Sequence, residues 1–160
     1  MLPGELRFEH RVKHPSLDPV NALLSLGYVL VTNEIAALAE SVGFDPLIGF
    51  LHGLRYGRQS LPLDLVEEFR QPVVDGLVLT LVNKRSINEN DFHKGDDGAF
   101  FLNKEAFSRF LEVYEDRLDK PFVERESGSE ISYRRLFRRQ VENMEKAVLN
   151  GQEYEPFLVR

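Results

Sequence analysis

The chain has 160 residues, 42% hydrophobic and 29% charged, with 11 Gly and 8 Pro; this balance excludes collagenous, low-complexity and disordered classes and suits one domain, or one lobe of a larger protein. Cysteine is absent, which excludes a disulfide framework, a thiolate nucleophile and Cys-ligated zinc, so any metal would be held by His, Asp, Glu or amide oxygens. Basic residues number 20 against 26 acidic ones, a net charge of −6, which argues against a general nucleic-acid coating protein while leaving local basic patches open.

Residues 1–17 alternate in charge, carry Pro3 and Pro15, and lack an apolar run; they read as a linker or lead-in segment, and no signal peptide is expected. Asp18-Pro19 then sets a helix start, because Asp accepts from orphan backbone N–H groups and Pro fits the first helical position. The run from Asn21 to Ser41 is apolar on most sides, which predicts a central, buried helix ending at Gly43. Asn33, Glu34 and Glu40 would be costly in hydrocarbon. No membrane span is therefore expected, and the protein is expected in the cytoplasm.

Asp45-Pro46 repeats the start signal and predicts a short helix over residues 47–52, followed by the loop GLRYGRQS over 53–60. A long helix is predicted from about Pro62 to Asn83, kinked near Glu68 by Pro72. Its apolar stripe is Val66, Phe69, Val73, Leu77 and Leu81, with Asp64, Glu67, Glu68 and Asp75 on the far side. Residues 86–98 are polar and turn-rich and predict a mobile loop; residues 99–102 (AFFL) fit a short strand. Asn103 caps a helix over 104–118 that closes before Pro121, and RESGSE (125–130) is a loop. A last helix runs from about Ser132 to Asn150, stops at Gly151 and leaves an apolar tail, YEPFLV. The fold class that follows is mainly all-α: a multi-helix lobe over 18–160 around one central buried helix, with at most a short strand or hairpin.

His52 with Asp64 and Glu67 is the first constellation that could carry chemistry. Asp64 and Glu67, spaced i, i+3, project from one helical face, and Glu68 crowds it. Like charges at this spacing repel unless solvated or neutralised. One imidazole and two carboxylates suit Mg²⁺ or Mn²⁺ better than structural zinc; a solvated acidic face beside a helix-end histidine is the alternative. Arg55 and Arg58, between His52 and Asp64, would sit where a phosphodiester's charge falls if a metal is held there; otherwise they are loop salt-bridge partners.

The block ISYRRLFRRQ is the second. Phe137, Val141, Met144 and Val148 predict the buried stripe of the last helix, and Arg134, Arg135, Arg138 and Arg139 fan over its outer side. Four arginines with no acid in ten residues could neutralise DNA phosphates, or pair with Glu130, Glu142 or Glu145. His10, His14 and His93 lack partners at metal spacing. No Gly-x-Ser-x-Gly turn frames Ser60, and neither a Gly-x-x-x-x-Gly-Lys loop nor a Gly-x-Gly-x-x-Gly fingerprint occurs.

The succession DPVNALLSLGYVLVTNE, GFDPLIGFLHGLRYGRQSLPLDLVEEFRQPVVD and YRRLFRRQ resembles the CRISPR-associated endonuclease/integrase of spacer acquisition. The match runs from about Phe8 to the C-terminus and is most specific from Gly49 to Asp75. The resemblance implies an α-helical lobe with a divalent metal site, homodimers, and a small CRISPR-associated adaptation subunit as partner. It also implies insertion of short DNA segments into the array by attack of a 3′-hydroxyl on a phosphodiester. Carried over, the metal-binding histidine falls on His52 and the acidic pair on Asp64 and Glu67, with Glu67 the direct ligand. The Arg134–Arg139 helix would lie near DNA or another subunit. The family's β-rich N-terminal domain and a further metal-binding glutamate are expected upstream of the matched region, outside this chain. The competing readings are a catalytically silent helical module that binds DNA or a partner, and a small metal-dependent hydrolase unrelated to DNA.

Overall fold

The computed structural model describes residues 6, 8, 10–12, 15–49, 59–125 and 127–158. Helices dominate, as the sequence patterning requires: α1 is Pro19–Ser41, α2 Ser60–Val66, α3 Gly76–Asn83, α4 Lys104–Asp119 and α5 Tyr133–Asn150. Two short antiparallel pairs complete the described residues, β1 (Phe92–Lys94) with β2 (Phe100–Leu102) and β3 (Phe122–Val123) with β4 (Glu130–Ile131).

The caps lie where the sequence puts them. Asp18, Asn103 and Ser132 are the N-caps of α1, α4 and α5, each side chain accepting from a backbone N–H one turn in. Gly151 ends α5 at φ 63°, a left-handed conformation that suits glycine.

α1 is the central element and packs against α2, α3 and α5. Its i, i+4 row of Leu23, Gly27, Val31, Ile35 and Ala39 is buried, facing Leu61 and Leu65 of α2, Val73 and Val74, Phe110 of α4 and Phe137 of α5 in one core. Val29, on another side of α1, is exposed. In length and composition α1 could cross a membrane; here it is a core helix, and its Glu34 meets Arg134 of α5 at 3.2 Å.

Three expectations about local structure are corrected. The short helix after Pro46 is absent over 46–49, where Asp45 Oδ1 instead accepts from Leu47 N at 2.9 Å and Asp45 O from Ile48 N at 3.1 Å. The Asp-Pro pair makes an Asx turn there because the side chain satisfies the nearest N–H without a helix to follow; residues 50–52 lie outside the described residues. The long helix from Pro62 to Asn83 is broken into α2, a turn over 67–69, a π-helical turn at Arg70–Asp75 and α3. Pro72 offers no N–H, so the α-ladder cannot run through it. Its carbonyl accepts from Arg117 Nε of α4 at 3.0 Å. The loop expected over 86–98 contains a capped 3₁₀ turn at Glu89–Asp91 and strand β1, and Asp91 is held by Arg109 at 2.5 Å.

Candidate metal and nucleic-acid site

Asp64 and Glu67 arise on α2 and the turn that ends it, and both line a cavity of about 710 Å³ whose opposite wall is Met144, Val148, Tyr154 and Phe157. Asp64 is only 7% exposed. The 46–49 turn lies directly on it: a Cβ at Gly49 would stand 2.9 Å from Asp64 Oδ2 and 2.6 Å from Ser60 Cβ. Glycine at 49 is what lets the chain carrying His52 approach the start of α2 so closely. His52, Arg55 and Arg58 themselves lie outside the described residues.

The expected acidic face is divided among separate partners. Glu67 stays exposed on the ridge and is bonded through both oxygens to Arg70 Nη1, at 2.8 and 2.9 Å. Glu68 is turned away, onto the tail: Phe157 N donates to Oε2 at 2.7 Å, Gln140 Nε2 to the same oxygen at 2.9 Å, and Tyr154 Oη to Oε1. Burial pushes the Glu68 carboxyl above the ordinary range, and these donors pull against that shift. Asp75 accepts from Tyr28 Oη at 2.6 Å. The helical break at 67–69 explains the divergence, since consecutive acids no longer follow one helical wheel. The apolar stripe predicted for the same stretch holds: Val66, Phe69, Val73, Leu77 and Leu81 are all buried.

Among the described residues, no three His, Asp or Glu side chains gather as a metal-binding group. Two carboxylates on one cavity wall are nevertheless the hard oxygen donors that Mg²⁺ or Mn²⁺ prefers, and the adjoining turn leads into the segment with His52.

On α5, the four arginines separate into two kinds. Arg134 reaches Glu34 of α1 and Glu115 and Asp119 of α4, at 3.2, 2.5 and 2.8 Å. Arg139 grips Glu124 after β3, with Nη1 2.9 Å from Oε2. The bonds from Arg139, and then Ser127, hold the Glu124 carboxyl down at about 2. These partners come from other elements, not from Glu130, Glu142 or Glu145 as sequence proximity suggested. Arg135 and Arg138 are exposed, make no ion pair among the described residues, and line a cavity of about 630 Å³ beside Glu34 and Ser41. Phe137, Val141 and Met144 are buried as expected, whereas Val148, beyond the core's edge, is 49% exposed.

Sequence reasoning passed over Arg11, Tyr28, Arg70 and Gly49. Only Arg70 left a local signal, its i, i+3 spacing from Glu67.

The sequence profile of the family described as "CRISPR associated protein Cas1" matches residues 1–116. The chain belongs to the Cas1 family. It is 41% identical over 163 residues to a Cas1 endonuclease of Thermus thermophilus, covering 100% of this chain and 48% of that protein. A Cas1 endonuclease of Moorella thermoacetica is 48% identical over 111 residues, with 69% of this chain and 32% of that protein covered. Thus the chain spans about half, or less, of the relatives it matches. Among solved structures it is similar to a casposase bound to integration product, with a TM-score of 0.86 at 26% identity over 97% of this chain and 46% of that one. A Cas1 protein from Thermotoga maritima gives a TM-score of 0.79 at 35% identity over 92% of this chain and 45% of that one. A Cas6-RT-Cas1–Cas2 complex gives 0.83 at 26% identity, covering 99% of this chain and 17% of that one.

Proposed function

We propose that this chain is the helical catalytic lobe of a metal-dependent DNA endonuclease/integrase that inserts spacers into CRISPR arrays. The observation that carries this reading is the placement of Asp64 and Glu67 on one cavity wall, with Gly49 pressed against Asp64. His52 follows Gly49 by three residues, a stretch of chain that reaches at most about 10 Å. His52 and Glu67 would hold Mg²⁺ or Mn²⁺, and Asp64 would ligate it or orient a ligand. The ion, when bound, would stabilise charge on the phosphodiester oxygens during transfer to a 3′-hydroxyl. The chain's own residues bind and orient the DNA: Arg55 and Arg58 near the reacting phosphate, Arg135 and Arg138 on the outer face of α5. The names of the similar structures, a casposase with integration product and a Cas1–Cas2 assembly, support DNA and a small adaptation subunit as partners; a second copy of the chain and work in the cytoplasm belong to the same proposal.

A second reading has its own observation. Glu67 is occupied by Arg70, which fits a catalytically silent module that binds DNA through α5. Calorimetric titration with Mn²⁺ decides between them. Binding by the unmutated chain that His52→Ala and Glu67→Ala each abolish supports the metal site. No binding by the unmutated chain, together with salt-dependent DNA binding that EDTA leaves unchanged, overturns it in favour of the silent module.

A further inference from the structure

Glu67 stands between two cavities. The one opposite to the C-terminal tail is a groove of about 400 Å³ between α1 and α2, lined by Arg11, Ser25, Tyr28, Gln59 and Arg70 beside Glu67. That volume is within the range of small-molecule sites. Two guanidinium groups crowd one aromatic ring: Arg11 Cζ is 5.4 Å and Arg70 Cζ 4.9 Å from the Tyr28 centroid.

Their charges are not equally answered. Arg70 has Glu67, through one terminal nitrogen. Arg11 has no carboxylate at ion-pair distance among the described residues. Its hydrogen bonds go to neutral acceptors, Asn21 Oδ1 at 2.8 Å, Ser25 Oγ at 3.1 Å and the Val12 carbonyl, and its buried Nε has no partner. Nearby Asp18 is already committed to Asn21, and Asp75 to Tyr28. A half-buried cation held beside a second cation is costly unless an anion joins them. Burial, and after it the neighbouring Arg70, lower the Arg11 pKa against the opposing pull of Tyr28, Asp18 and Asp75.

We propose that this groove binds one phosphate group of a nucleic-acid strand, held between Arg11 and Arg70 beside Glu67. Guanidinium forks suit phosphate oxygens, and Ser25, Tyr28 and Gln59 line the same space. The site deepens the proposed function and rests on Glu67 as metal ligand in one respect. While Glu67 is bonded to Arg70, part of the groove's positive charge is cancelled. A divalent cation on Glu67 would free Arg70 for phosphate, so cation and phosphate would each tighten the other's binding.

The test is a titration followed by the arginine Nε–Hε signals of the ¹⁵N-labelled chain, assigned with Arg11→Lys and Arg70→Lys. The probe is the thymidine dinucleotide pdTpdT, with inorganic phosphate in a parallel arm, each in EDTA and in Mg²⁺. The expected result is saturable movement of the Arg11 and Arg70 signals, tighter for the dinucleotide than for phosphate, tightened further by Mg²⁺, and weakened about tenfold by Arg11→Gln. Saturable dinucleotide binding that leaves the Arg11 signal unmoved would overturn the proposal, and so would linear, unsaturable shifts. Tighter binding of inorganic phosphate than of pdTpdT would overturn the nucleic-acid assignment. Dinucleotide binding indifferent to Mg²⁺ would support the groove and overturn its coupling to Glu67. Because the signals are read on the unmutated chain, a misfolded Arg11 variant leaves the test intact.

Discussion

Phe157 N lies 2.7 Å from Glu68 Oε2, so a residue beyond the last helix fixes the direction of a carboxylate in the turn after α2. The Phe157 ring also stacks on Phe69, with centroids 5.7 Å apart and planes 16° from parallel. The tail therefore separates Glu68 from its neighbour Glu67. One acid is sequestered by uncharged donors, and the other is left on the ridge between two cavities.

Replacing Tyr154 by Phe removes one donor to the half-buried Glu68 carboxylate. The Glu68 pKa is raised in the folded state, so its contribution favours folding below its unfolded value of about 4.3 and is lost as pH rises through the folded value. Losing the Tyr154 bond, which favours the charged form, raises the folded value further. Tyr154→Phe is expected to cost about 1–3 kcal/mol at pH 8 and distinctly less at pH 4. Urea unfolding at the two pH values checks this; an equal cost at both would show that the hydroxyl does not act through Glu68's charge.

Gly49→Ala places a methyl 2.6 Å from Ser60 Cβ and 2.8 Å from the Ser60 carbonyl carbon, a backbone contact that cannot rotate away. Either the 46–49 turn or the start of α2 must shift. The expected outcome is a stability loss of about 1–3 kcal/mol and a drop in Mn²⁺ affinity of about tenfold or more, since ligand placement is sensitive to small displacements. Calorimetry below the melting temperature, with circular dichroism to confirm helicity, measures both. Undiminished affinity would disconnect this turn from the site.

The α5 arginines should behave as two classes. Arg135→Gln with Arg138→Gln should lower the slope of log K against log salt for single-stranded DNA by about 1.4, or about 0.7 per phosphate contact, while changing stability by less than about 0.5 kcal/mol. Arg134→Gln, which breaks contacts to Glu34, Glu115 and Asp119, should instead cost about 1 kcal/mol and leave the slope unchanged. Fluorescence anisotropy across a salt series separates the two; identical slopes for all variants would remove α5 from the DNA interface.

Helix starts and stops were legible in the sequence because their causes are local. Asp18, Asn103 and Ser132 cap with their own side chains, and Gly151 takes a conformation that its missing Cβ permits. Pro72 announced a break but not its form, a π-helical turn whose Pro72 carbonyl is met by Arg117, 45 residues away. The same limit applies to the candidate site. Asp64 and Glu67 were visible as a spaced pair, whereas the fate of Glu68 was set by Tyr154, 86 residues later, and that of Asp75 by Tyr28, 47 residues earlier. Arg11 carried no local sign, because its surroundings are assembled from α1 and the Arg70 turn.

The π-helical turn at Arg70–Asp75 makes residue count, as well as residue identity, a property of the site. It joins the acids to the buried anchor of α3 with one residue more per turn than an α-helix would use. Deleting a single residue there would leave Pro72 still barring an α-ladder, so the wall that carries Asp64 and Glu67 and the buried α3 could not both keep their present places. A one-codon, frame-preserving deletion could thus dismantle the candidate site while leaving Asp64, Glu67 and His52 in the sequence.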